Sequence, residues 1–96
     1  MAGPRGRVTG DHQQHTITLY ALSTCIWCRK TRQFLEEEGV TFDFIYVDLL
    51  KGDAREAEKD AIRAWNPRVS FPTVVIDGET CVIGYKIDAL REALGL

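Results

Sequence analysis

Two alternating apolar stretches with a helical stretch between them, all within about 30 residues, leave this chain few folds to adopt. Ile17, Leu19 and Ala21 alternate with Thr18 and Tyr20, the period of a half-buried strand. Residues Ile26 to Glu38 favour helix, with Cys28, Thr31 and Leu35 on one face and Phe34 beside them. Gly39 suits the left-handed residue that ends a helix. Phe42, Phe44, Tyr46 and Val47 then make a second strand running through Asp48. A strand–helix–strand unit of this size places its two strands parallel, with a right-handed crossover.

The rest of the chain extends that unit. Lys51-Gly52 reads as a loop, and Asp53 can cap a second helix over Ala54–Trp65, with Ala57, Ala61, Ile62 and Trp65 at helical spacing. Asn66-Pro67 stops it, because proline disfavours helix at the residue before it. Thr73–Asp77 and Thr80–Ile83 are short strands, and Asp77-Gly78 between them is a strong hairpin signal. Gly84 opens a last helix, Ile87–Leu94, with Ile87, Leu90, Ala93 and Leu94 facing inward. The predicted order is β-α-β-α-β-β-α. This is an α/β fold with a four-stranded mixed sheet, a parallel pair followed by an antiparallel hairpin, flanked by helices on both faces.

Residues 1–15 are rich in Gly, Arg, His and Gln and nearly devoid of apolar side chains, so they read as a flexible leader ahead of one ordered domain at 16–96. His12 and His15 read as solvated tail residues rather than metal ligands. A chain of 96 residues is one domain. Its net charge is −2, from 12 basic and 14 acidic residues, which argues against nucleic acid as a partner. No run of 18 apolar residues is present, so no membrane partner is expected. The leader lacks the apolar centre of a signal peptide, which points to the cytoplasm, where thiols stay reduced. A monomer is expected.

The chemistry concentrates in Cys25-Ile26-Trp27-Cys28, placed where the first strand ends and the first helix opens. Residues i and i+3 share a helix face, so the two sulfurs can reach bonding distance. Thr24 can cap that helix. The helix N-terminus offers unsatisfied N–H groups and partial positive charge, and both favour a thiolate at Cys25. Arg29, Lys30 and Arg32 add positive charge over the next two turns. Cys25 is then the exposed nucleophile and Cys28, one turn inside, the shielded resolving thiol. A structural zinc site wants two close ligand pairs, and only one is present, with Cys81 standing alone. No metal is expected. Cys81, beside Val82 and Ile83, reads as an inert core thiol. Trp27, between the cysteines, reads as a recognition residue that packs on a substrate beside its disulfide.

The second signal is Ser70-Phe71-Pro72-Thr73. With a dithiol motif upstream, Pro72 is expected to be cis. The backbone of Phe71 would then turn toward the thiols and pair with an extended substrate in strand fashion.

Taken in order, the chain resembles the glutaredoxin branch of the thioredoxin superfamily from Thr16 to Leu96. Cys25-Ile26-Trp27-Cys28 matches the dithiol motif, Phe71-Pro72-Thr73 the cis-proline loop, and Ile83-Gly84 the glycine turn before the last helix. The resemblance implies a thioredoxin-like fold. It also implies thiol–disulfide oxidoreductase activity on protein disulfides or glutathione mixed disulfides, with glutathione or another low-molecular-weight thiol as co-substrate and no tightly bound cofactor. Trp27, Arg68, Phe71, Pro72, Gly84 and Asp88 are the substrate- or glutathione-binding candidates, Arg68 for a carboxylate and Asp88 for an amino group. Ile26 and Trp27 stand where the family usually has Pro and Tyr, Leu22 where it often has Lys, and Tyr85-Lys86-Ile87-Asp88 where it has a second Gly and two acids. These departures keep a thioredoxin-reductase-type reductant in play. An iron–sulfur carrier and an electron donor to ribonucleotide reductase are the alternative functions.

Overall fold

The computed structural model describes residues 3–96. Its sheet holds five strands: β1 (Arg5–Val8), β2 (Ile17–Ala21), β3 (Phe42–Tyr46), β4 (Thr73–Ile76) and β5 (Thr80–Ile83). Three helices accompany them: α1 (Ile26–Glu37), α2 (Gly52–Arg63) and α3 (Ile87–Leu94). The spatial order is β1-β3-β2-β4-β5. β2 and β3 are parallel, as the βαβ reading requires, with Leu19 opposite Phe44. β4 runs antiparallel to both β2 and β5.

Sequence periodicity decides the layers. Ile17, Leu19 and Ala21 of β2 are buried and face the side where Cys28, Thr31, Phe34 and Leu35 of α1 pack with Leu90 and Leu94 of α3. α2 covers part of the opposite face, resting on Ile45, Val47 and Leu50 through Ile62 alone. Ala57 and Ala61, expected to point inward, are exposed. α2 also starts earlier than expected. Lys51 is its N-cap, without a side-chain bond, and Asp53 sits in the first turn. β3 ends at Tyr46, and Val47–Leu49 form a single 3-10 turn. Among the described residues, no helix is long and apolar enough to cross a membrane.

The fifth strand corrects the leader expected at 1–15; its first two residues lie outside the described residues, and the rest is built into the fold. β1 pairs antiparallel with the outer edge of β3, from Arg5 opposite Ile45 to Val8 opposite Phe42. The Pro4 carbonyl accepts the Tyr46 N–H at 2.6 Å. The strand escapes recognition because its inward residues are Gly6 and Val8. Gly6 is where the Phe44 ring lies against the backbone, so a Cβ there would sit 2.9 Å from the ring. Outward, Arg7 bonds both oxygens of Asp43 at 2.8 and 3.3 Å, and Arg5 reaches Glu58 of α2 at 2.9 Å. His12 bridges to the turn after α1 through its backbone, and His15 pairs with Asp77 at 2.7 Å. Both histidines are structural connectors.

Gly10 is the tightest point of this segment. A Cβ there would lie 2.2 Å from the carbonyl oxygen of Gly39, a backbone atom that cannot swing aside. Gly10→Ala should therefore cost about 1–3 kcal/mol, as other overpacking changes do. In a domain of this size, that lowers the melting temperature by roughly 4–8 °C per kcal/mol. Thermal unfolding followed by circular dichroism checks it, and an unchanged melting temperature would refute the docking of residues 3–15.

Candidate functional site

The site forms where β2 ends. The chain leaves the sheet at Ala21 and turns over Leu22–Thr24, and the Cys25 N–H closes that turn on the Leu22 carbonyl at 3.3 Å. Cys25 keeps extended backbone angles and is itself the N-cap of α1, the role expected of Thr24. Its Sγ accepts the Cys28 N–H at 3.2 Å. The nucleophile candidate thus occupies the place of the usual capping oxygen, where free N–H groups and the positive end of the helix converge. No acidic residue lies in the first turn of α1 to oppose that field. Arg32, expected to strengthen it, is committed elsewhere. Its guanidinium bonds the Tyr46 hydroxyl at 2.8 Å and lies 4.3 Å from the centre of the Phe44 ring.

The two cysteines differ as the capping geometry demands. Cys25 is half-buried, while Cys28, one turn in, is 2% exposed within the core. Burial first, then the bond with Cys25, push the Cys28 thiol up to about 12, with the Leu22 backbone opposing them and the negative charge of Asp48 adding least. Cys28 therefore holds its proton at neutral pH. Cys81 is half-buried on β5, and burial pushes its thiol up as well.

The Phe71-Pro72 bond is cis, as expected. The loop that carries it hangs on Asn66, 3% exposed, whose amide donates to the Ser70 carbonyl at 3.2 Å, the Ser70 hydroxyl at 2.9 Å and the Thr73 hydroxyl at 3.1 Å. The Pro72 carbonyl accepts the Gly84 N–H at 2.8 Å, tying the loop to the turn before α3. Gly84 holds φ at +85°, which favours glycine.

Of the sequence-derived candidates, Trp27, Phe71, Pro72 and Gly84 come together around one groove of about 260 Å³. Arg68 lies in a separate, larger pocket of about 490 Å³, with Leu22, Asp48, Arg55 and Arg63, and Phe71 borders both. Asp88 sits exposed in the first turn of α3 and lines neither. Two contributors escaped the sequence reading. Asn66 looked like a helix stop only. Tyr85 completes the groove, its ring centre 5.3 Å from that of Trp27. An exposed aromatic directly after the glycine turn was the available signal. Trp27, 51% exposed, leans toward Tyr85, with the Lys30 ammonium 5.2 Å from its ring centre.

Comparison with known proteins agrees with this fold. The Glutaredoxin family model matches residues 17–81. The fold is similar to the glutaredoxin from Methanosarcina mazei Go1, with TM-score 0.90 and 41% identity over 97% of this chain and 89% of that one. It is similar to Methanosarcina acetivorans methanoredoxin, with TM-score 0.91 and 36% identity over 99% and 100%. It is also similar to Escherichia coli NrdH-redoxin, a glutaredoxin-like protein described as having a thioredoxin-like activity profile, with TM-score 0.64 and 30% identity over 80% and 92%.

The thiol asymmetry makes a direct prediction. A thiol pushed up to about 12 keeps its proton at pH 7. Brief alkylation of the reduced protein at neutral pH, followed by peptide mapping, should label Cys25 and leave Cys28 unmodified. Cys28 should label only as the pH climbs toward its own value, and preferential labelling of Cys28 at neutral pH would reverse the assignment.

Proposed function

The chain belongs to the glutaredoxin family, and from that premise we propose that it reduces disulfides of proteins, or their mixed disulfides with small thiols, through Cys25 and Cys28. The observation that supports this most is the cap bond from the Cys28 N–H to the Cys25 sulfur, next to a buried and protonated Cys28. The Cys25 thiolate attacks one sulfur of the substrate disulfide. The substrate S–S bond breaks, and the departing thiolate takes a proton from solvent. Cys28 then gives up its proton to solvent and attacks the Cys25 sulfur of the mixed disulfide. The second substrate thiolate leaves, and a Cys25–Cys28 disulfide remains. Two electrons pass to the substrate, and the protein is reduced again by an external donor.

That donor is two equivalents of a low-molecular-weight thiol such as glutathione, or a reductase of the thioredoxin-reductase type. Tyr85 favours the second. It places an aromatic ring against the groove where the family usually has a second glycine, and the likeness to a protein with a thioredoxin-like activity profile points the same way. Arg68 remains the proposed partner for a substrate carboxylate in the larger pocket, and Phe71 and Pro72 the backbone surface beside the reacting disulfide.

Reduction rates with glutathione, other small thiols and a thioredoxin reductase identify the donor. Cys25→Ser should abolish turnover with every donor, and retained turnover would refute the mechanism. Trp27→Ala should raise KM several-fold for a protein disulfide while leaving KM for hydroxyethyl disulfide nearly unchanged, since only the larger partner reaches the ring pair. An equal change for both would withdraw its recognition role. Cys81→Ser should turn over at the parent rate, and a large loss would make Cys81 part of the chemistry.

A further inference from the structure

Asp48 acts in the mechanism above only through its charge on Cys28, yet it also grips the turn that presents the nucleophile. It stands in the 3-10 turn Val47–Leu49 that follows β3. One carboxylate oxygen accepts the Ser23 N–H at 2.8 Å, and the other accepts the Ser23 hydroxyl at 2.5 Å. Ser23 lies in the middle of the turn that the Cys25 N–H closes on the Leu22 carbonyl. The 3-10 turn is itself held from α2. Arg55 donates to the Leu50 carbonyl at 2.9 Å and to the Asp48 carbonyl at 3.3 Å. A continuous line of hydrogen bonds thus runs from α2 through Asp48 to Ser23, two residues before Cys25. Burial disfavours charge on Asp48, but the two Ser23 bonds, with help from Arg55, hold its carboxyl below the usual carboxylate range.

Two bonds from one side chain to one residue fix orientation as well as distance. We propose that Asp48 is a positioning residue: by holding both polar atoms of Ser23 it sets the Leu22–Thr24 turn and so aims the Cys25 sulfur. The proposal rests on the reading of Cys25 as the nucleophile. Reactive geometry is unforgiving, since a misplacement of about 1 Å can cost on the order of 100-fold in rate. The rival role is that Asp48 only staples β3 to the turn, which would change stability and leave the attack rate per folded molecule alone.

The chemistry of the grip supplies the discriminating variant. An asparagine amide can keep both bonds, its oxygen accepting the Ser23 N–H and its NH₂ donating to the Ser23 oxygen, while the charge is lost. Alanine keeps neither. Each change is made in a Cys28→Ser background, where the reaction stops at the mixed disulfide and its rate reports the Cys25 attack alone. With hydroxyethyl disulfide as substrate, Asp48→Ala should slow the attack about tenfold or more. Asp48→Asn should recover most of that loss, and Ser23→Ala, which spares the N–H bond, should fall between. A parent rate in folded Asp48→Ala would overturn the proposal, and so would Asp48→Asn as slow as alanine. Should Asp48→Ala fail to fold by circular dichroism, Ser23→Ala decides, and a parent rate there overturns it. A reference protein that does not react at all would instead overturn the nucleophilic role of Cys25, and the positioning role with it.

Discussion

Parallel pairing of β2 with β3 is the constraint from which the site follows. Parallel neighbours cannot be joined by a tight turn and need a crossover, here supplied by α1. The crossover must begin where β2 ends, so the last turn of the strand path and the first turn of the helix meet at one point. Cys25 occupies that point. The pairing is held by burial. Ile17, Leu19 and Ala21 are 2% exposed or less, and a slip of one residue would send all three to the opposite face. The placement of the dithiol is therefore a by-product of packing the core, and chemistry at the helix end needs no separate scaffold.

The opposite wall of the site is built differently. The loop carrying Phe71 and Pro72 is fixed by hydrogen bonds around the buried Asn66, whose three acceptors belong to Ser70 and Thr73. The Thr73 hydroxyl in turn donates to the Ser70 carbonyl at 2.8 Å. Val69, within this loop, holds φ at +50°, a conformation that is unfavourable for a branched side chain by on the order of 1–2 kcal/mol. Such strain persists only where neighbours over-determine the backbone. Here Asn66 does so from both ends, accepting the Arg68 N–H on its side chain and the Val69 N–H on its backbone. Among the described residues, no buried polar side-chain atom lacks a partner, as a rigid polar network requires. One wall thus rests on apolar burial and the other on a saturated polar node, and Phe71 touches the apolar clusters on both sides of the sheet.

Much of this arrangement was legible in the sequence where side chains alternate or recur with a clear period. Burial is what produces periodicity, so the strands β2 to β5, the helices α1 and α3, and the spacing of Cys25 and Cys28 could all be read from residue types. β1 could not. Its inward positions are a glycine that admits the Phe44 ring and a single valine, and its stability comes from the open edge of β3, which a linear reading does not see. α2 misled in the opposite direction. Ala57 and Ala61 have helical spacing, yet both are exposed and Ile62 is the one residue α2 buries, because small side chains reach little apolar surface.

The amino-acid sequence by itself determined the order of elements from Ile17 onward, the parallel pair, the hairpin at Asp77-Gly78 and the close spacing of Cys25 and Cys28, because each depends on neighbours within a few residues or on one periodic face. Tertiary structure alone decided which atom caps α1, what holds the turn before it, and which residues share the groove. Cys25 displaced Thr24 as the cap, Asp48 met Ser23 across 25 positions, and Tyr85, in the turn before α3, met Trp27 of α1. Those choices are settled by distances between segments far apart in the chain. Many residues of each type could serve equally well until the sheet has brought one of them to within hydrogen-bonding or stacking range.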